Sequence, residues 1–367
     1  ILIAPDKFKG SLTAEEVCEA IAAGLRTRHP EVNIRFAPLA DGGDGSLAII
    51  ERYLHLRPRQ ISTCDPLGRA LSVSYLENED SAFIEVAAAS GLVLLQPDER
   101  DPLKTSTYGT GRQLRDALDR GKRKIFLLLG GSATNDLGLG ITEALDFTFY
   151  DAKGKQIRPN GAHLSTIERI EFPAHRPWME AQITLLCDVD NPLYGPAGAA
   201  QVYAAQKGAT PIVIGELERG ARRMASLIAE FTGVAVDKLP GGGAAGGIGA
   251  GLSALIGAKL TGGFTTISQL SGLTEKITWA DVVISGEGQV DEQSLQGKVV
   301  GGVLELCRQH KKECWLFAGR STLDKDLLVG TKSVSVYEIM EIAPDVEAAM
   351  RDAGVFLTEL ARTLTVR

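Results

Sequence analysis

Apolar runs that break off into clusters of glycine and carboxylate recur along this chain, and they restrict its fold more than any other feature. Lys124 to Leu129 ends at Gly130-Gly131-Ser132-Ala133-Thr134-Asn135-Asp136, and Ile183 to Cys187 ends at Asp188-Val189-Asp190-Asn191-Pro192. Asp281 to Ser285 ends at Gly286-Glu287-Gly288, and Cys314 to Ala318 ends at Gly319-Arg320. Continuous rather than alternating hydrophobicity marks strands covered on both faces, as in parallel sheets flanked by helices. In such sheets ligands bind beyond the carboxyl ends of the strands, where these clusters fall.

The amino-terminal region follows the same order. Ile1 to Ala4 is apolar, Asp6-Lys7-Phe8-Lys9-Gly10-Ser11 follows, and Thr13 with Glu16 forms a capping-box signature ahead of Val17, Ile21 and Leu25. Ile34 to Leu39 then reads as a strand ending at Asp41-Gly42-Gly43-Asp44-Gly45-Ser46. From Gln60 to Val86 the runs are shorter and alternate, which predicts antiparallel hairpins. Helices read at 112–120, 216–231, 299–310 and from Pro344 through Leu364. The expected fold is α/β: a doubly wound, mostly parallel sheet domain at 1–60 plus 275–367, with a second domain inserted at 61–274.

Composition narrows the function classes. The chain has 367 residues, 44% hydrophobic and 23% charged, which is a folded protein's balance and not that of a disordered tail. Its net charge of −7, with no basic stretch, argues against a nucleic-acid partner. No apolar run approaches the roughly 18 residues of a membrane span, and no signal-like layout precedes Ile1-Leu2-Ile3, so no membrane partner and a cytoplasmic location are expected. Five scattered cysteines and five scattered histidines give neither a disulfide framework nor a zinc signature. Oligomeric state is not readable.

The 41 glycines concentrate in a few loops. Residues 240–251 read P-G-G-G-A-A-G-G-I-G-A-G. A bare backbone there could cradle an anion at a helix start; tight packing of small residues is the alternative. G-x-G-x-x-G occurs at 241, 243 and 246 but follows no strand-like segment, so it lacks the setting of a dinucleotide fingerprint. Gly130, Gly131, Ser132, Thr134 and Asn135 form either a phosphate loop or, with Asp136, a capped turn. Asp188, Glu287 and Asp291 stand at or just beyond strand ends, and Lys7, Lys9 and Arg320 lie in equivalent loops. Phosphoryl transfer needs Mg²⁺ on one or two carboxylates, a proton acceptor, and cations or N–H donors around the transferred oxygens. These loops contain all three.

The motifs I-A-P-D-K-F-K-G-S-L at 3–12, A-D-G-G-D-G at 40–45, G-G-S-A-T-N-D at 130–136, C-D-V-D-N-P-L at 187–193, P-G-G-G-A-A-G-G-I-G at 240–249 and G-E-G-Q-V-D-E-Q-S-L-Q-G-K at 286–298 occur in this order. Together they resemble the type-1 glycerate kinases over nearly the whole chain, thinning after about Gly319. The resemblance implies a Rossmann-like domain with a second α/β domain inserted, and ATP-dependent phosphorylation of D-glycerate, to 2-phosphoglycerate in the bacterial members. It departs from the family pattern at Asp44 (where Glu is expected), Leu137 (glycine) and Ser294 (threonine).

The residues themselves supply the expected roles. Asp188 accepts the hydroxyl proton, with Asp41 as second choice, and Lys9 pairs with the substrate carboxylate or a phosphate. Glu287 and Asp291 hold Mg²⁺ directly or through water. Gly130, Gly131, Ser132, Asn135, Gly241, Gly242, Gly243, Gly246, Gly247 and Lys298 bind ATP. Two rivals are an NAD(P)-dependent hydroxy-acid dehydrogenase, which lacks its strand-preceded fingerprint, and a non-catalytic phosphosugar-binding module, which has no need of the strand-end carboxylates.

Overall fold

A computed structural model describes residues 1–43, 45–295, 298–323 and 334–365. The chain divides into two compact units, one of residues 1–41, 48–54 and 262–367 and the other of residues 42–47 and 55–261.

The first unit is built on a five-stranded, wholly parallel sheet ordered Val334–Glu338, Glu313–Ser321, Val282–Val290, Leu2–Ile3, Arg35–Phe36. Side chains alternate across it as a pleated strand requires. Ile3, Ile284, Trp315 and Phe317 share one core with Val17, Cys18 and Ile21 of helix Ala14–Arg28 and Leu357 of helix Ala353–Thr363. Cys314, one residue out of phase with Trp315, meets Cys307 of helix Val299–His310 instead. Both faces are therefore covered, which explains the unbroken hydrophobicity of these strands. The Thr13 cap forms as the sequence predicts: its N–H donates to Glu16 Oε2 at 2.8 Å, and its hydroxyl accepts from Glu16 N at 3.2 Å.

This sheet has a direction change. From Leu2–Ile3 the chain moves outward to Arg35–Phe36; from Val282–Val290 it moves the other way, to 313–321 and then 334–338. The reversal lies between Leu2–Ile3 and Val282–Val290, and the crevice beyond their carboxyl ends is where such sheets bind ligands.

The second unit carries a six-stranded sheet ordered Lys259–Thr261, Gln182–Leu186, Lys124–Leu128, Ser81–Glu85, Ala70–Glu77, Arg57–Cys64. The first four strands are parallel and the last two antiparallel. The hairpins expected from Gln60 are present, and Ser81–Glu85 joins the antiparallel edge to the parallel body. A small antiparallel ribbon pairs Thr148–Tyr150 with Gln156–Ile157 and Arg169–Glu171.

Two features differ from the sequence reading, the first being where the units divide. The units divide at 54/55 and 261/262, where 60/61 and 274/275 were expected. Arg57–Cys64 already pairs with Ala70–Glu77, and Phe264 packs so closely under Gly302 that a Cβ there would lie 2.0 Å from its ring. Second, the single helix expected from Pro344 to Leu364 is two, Val346–Arg351 and Ala353–Thr363, broken at Asp352 (φ −111°, ψ 23°). Among the described residues no helix is long and apolar enough to cross a membrane, and all five cysteines are free thiols.

Candidate active site

Each unit gathers its own share of the expected site residues. In the first unit they collect at the direction change of the sheet. Asp6 leaves the first strand with its N–H donating to Gly286 O at 2.9 Å, which brings its carboxyl next to Glu287. Asp41 follows the neighbouring strand, where Leu39 N is tied to Pro5 O at 2.9 Å.

The charge of Asp41 acts on both Asp6 and Glu287. Asp6, only 7% exposed, has its pKa raised to about 7, first by burial and then by the charges of Asp41 and Glu287, although Lys7 N donates to its Oδ1 at 2.6 Å. Burial also lifts Glu287, against the pull of a hydrogen bond from Ser294 and the charge of Lys298. Glu287 Oε1 is buried and has no hydrogen-bond partner among the described residues. Among the described residues no group of three or more carboxylate, histidine or cysteine side chains is placed to hold a metal ion, so any cation here would take one or two of these carboxylates and find its other ligands elsewhere.

Asp291 is differently employed. Its Oδ1 accepts from Ser294 N at 3.1 Å, and its own N–H donates to Ser294 Oγ at 3.0 Å, closing the turn Glu292–Leu295. Serine fills this role as threonine would, so the departure at 294 leaves the hydroxyl in use. Lys298 lies at the N-terminus of helix Val299–His310, close enough to Glu287 to affect its charge; it belongs to the first unit, the glycine loops to the second. Lys9 is exposed, on a loop whose backbone passes beside Gly288. Arg320 is on the strand Glu313–Ser321, in register with Gln289. Asp44 lies outside the described residues.

In the second unit three loops converge. The segment 130–137 follows one strand, 187–193 follows its neighbour, and 241–251 packs on both. Leu137 N donates to Gly246 O at 3.1 Å, and Gly243 N donates to Asn191 O at 2.9 Å. Gly246 shows why the run is so rich in glycine: its φ is +71°, and a Cβ there would lie 2.0 Å from Thr134 O. Ala245, Gly246 and Gly247 are left-handed in succession, so regular helix begins only at Ile248. Packing on the two neighbouring loops is thus a sufficient reason for these glycines. Leu137, where the family pattern has glycine, adopts φ +55° while its side chain is buried against Gly247.

The 130–136 loop is pinned at almost every residue. Leu92 N donates to Gly131 O at 2.9 Å, and Ala133 N to Ser90 O at 2.8 Å. Asp136, fully buried, accepts from Thr107 N and Oγ1, both at 2.8 Å, and from Gly138 N and Gly140 N. Its carboxylate ties this loop to Thr107 and to the turn that leads into helix Leu139–Ala144. Within this rigid frame Thr134 Oγ1 and Asn135 Oδ1 are buried with no hydrogen-bond partner among the described residues. Buried polar atoms left unpaired call for a partner from outside the chain, whether water, ion or ligand. Asp188, half-buried, stands at the end of the adjacent strand.

Comparison with known proteins gives this arrangement a context. The model of the Glycerate kinase family matches residues 1–366. The chain belongs to the glycerate kinase family. It is 38% identical over 369 residues to a glycerate kinase from Halalkalibacterium halodurans, covering 100% of this chain and 97% of that one. It is 37% identical over 356 residues to the glycerate 2-kinase of Escherichia coli K12, covering 96% and 93%. A crystal structure assigned as glycerate kinase 2 from Salmonella typhimurium LT2 superposes with a TM-score of 0.82 at 38% identity, over 98% of this chain and 96% of that one. As a glycerate kinase family member the chain is read as a kinase with a nucleotide substrate, and neither rival reading gains support.

Two residues of this family member were not singled out in the sequence. Asp6 lies within D-K-F-K-G, whose lysines drew the attention. Lys207 is fully enclosed, with Nζ donating to Thr134 O at 2.7 Å and Ser132 Oγ at 3.1 Å, and burial lowers its pKa to about 7. The only trace of it in sequence is a lysine set among small residues, A-A-Q-K-G-A-T.

Proposed function

We propose that this chain transfers the γ-phosphoryl group of ATP to the 2-hydroxyl of D-glycerate, giving ADP and 2-phosphoglycerate. The observation that carries the reading is kinship along almost the entire chain with a protein named glycerate 2-kinase. The carboxylate cluster at the direction change of the sheet and the orphaned acceptors of the 130–136 loop support it chemically.

In this reading Asp188 accepts the proton of the glycerate hydroxyl as its oxygen bonds to the γ-phosphorus and the bond to the β–γ bridging oxygen breaks. Asp41 is the alternative acceptor. A divalent cation, when bound, neutralises the negative charge of the phosphates. Glu287, with its unpartnered Oε1, is the residue suited to hold it, and Asp291, tied to its own turn, contributes through water. One or two carboxylates suffice for Mg²⁺, whose remaining ligands are water and phosphate. Lys9 pairs with the glycerate carboxylate or a phosphate, and Lys298 acts beside Glu287. Ser132 and Asn135, with Gly130, Gly131 and the backbone at Gly241, Gly242, Gly243, Gly246 and Gly247, line the nucleotide.

An assay of ADP release tests the reading. Release that requires both D-glycerate and Mg²⁺ is the expected outcome. Nicotinamide reduction, or ligand binding without turnover, would replace the reading with one of its rivals.

A further inference from the structure

Lys207 is the buried cation of the second unit for which neither the fold nor the proposed chemistry supplies a reason. A lysine ammonium loses several kcal/mol of hydration on burial, and an apolar side chain of the same length would fill the space without that loss. Its two acceptors are specific. Both lie in the 130–136 loop, Ser132 Oγ and Thr134 O, and they flank the stretch where Thr134 Oγ1 and Asn135 Oδ1 are left unpartnered. The negative group that affects it, Asp136, is saturated by four donors of its own and forms no direct ion pair with it. The ammonium therefore serves the loop backbone and not a buried salt bridge.

We propose that Lys207 is a positioning residue for nucleotide binding: it fixes the Ser132–Asn135 segment from behind, so that the Thr134 hydroxyl and the Asn135 amide are presented to the polyphosphate of the nucleotide and its counter-cation. The inference rests on the phosphoryl-transfer reading above. Thr134 supplies a hydroxyl donor for a phosphate oxygen, and Asn135 Oδ1 an acceptor suited to a cation or a hydroxyl. Neither group can turn freely while Thr134 O is held, because Ala133 N, Leu137 N and the Asp136 carboxylate anchor the same segment. Without Nζ, the carbonyl of Thr134 would turn to find another donor and carry the two side chains with it.

The test compares Lys207→Met with wild type, measuring KM separately for ATP and for glycerate. Loss of an interaction made equally in the ground and transition states raises KM and leaves kcat unchanged, whereas a partly unfolded preparation lowers apparent kcat and leaves KM where it was. The expected result is a KM for ATP raised about tenfold or more, from the loss of both Nζ hydrogen bonds to the loop, with kcat within about threefold and KM for glycerate unchanged. Unchanged KM for ATP, a loss confined to kcat, or a rise confined to KM for glycerate would each overturn the proposal. If Lys207→Met does not fold, Lys207→Gln, which keeps an N–H donor on a shorter side chain, should raise KM for ATP about threefold with kcat retained; no rise overturns the proposal. A wild type that releases no ADP with glycerate refutes the function reading and this inference together, whereas an active wild type matched by Lys207→Met refutes this inference alone.

Discussion

The N–H of Asp6 donates to the carbonyl of Gly286 at 2.9 Å, and this bond sets the Asp6 carboxyl beside Glu287 where the sheet reverses direction. The charge of Asp41 acts on both. Asp6 has its pKa raised from 3.8 to about 7, so the folded protein holds that proton more tightly than the unfolded chain. Stability from this group is fully present below pH 3.8 and is lost as pH rises through about 7. Without divalent cation, melting temperature should fall between pH 5 and pH 8, and Asp6→Asn should flatten that slope. Added Mg²⁺ should raise the wild-type melting temperature more at pH 8 than at pH 5.5. A slope unaffected by Asp6→Asn would show that the carboxyl titrates normally.

Asp188→Asn keeps shape and removes the proton acceptor. General-base assistance is worth about 10² to 10⁴ in rate, so kcat should drop by that order with KM for ATP little changed. Retention of more than about a tenth of wild-type kcat would move the role to Asp41.

Gly246→Ala tests the packing of the converging loops. A Cβ there would stand 2.0 Å from Thr134 O at a φ of +71°. The left-handed backbone alone costs about 1–2 kcal/mol for a residue with a side chain, and the overlap must also push Thr134 away. Chemical denaturation should show a loss of at least that size, together with weaker ATP binding. Wild-type stability would mean that the loops separate freely.

Much of this was legible in the sequence because strands buried on both faces must be continuously apolar, and Lys124–Leu128, Gln182–Leu186 and the core of Val282–Val290 carry that mark. The loops that follow them were found for the same reason. Asp6 was not assigned, since a lone carboxylate after a strand reads as a turn, and only the bond to Gly286 brings it to Glu287. Lys207 was missed because nothing local buries a lysine; the 130–136 loop, some seventy residues earlier in the chain, does so. The glycines of 241–251 were seen, but their reason lies in Thr134, Leu137, Val189 and Pro192, contacts that no local pattern encodes. The break at Asp352 was hidden by an apolar period that runs on through both short helices.

The phosphorus NMR spectrum of the product formed from D-glycerate and Mg-ATP tests the central claim most directly. Phosphate on the 2-hydroxyl couples to the single proton on C2, whereas phosphate on the 3-hydroxyl couples to the two protons on C3. The account predicts a new phosphomonoester doublet that grows with the ADP signals. A triplet would contradict the 2-position, and inorganic phosphate alone would contradict transfer to glycerate.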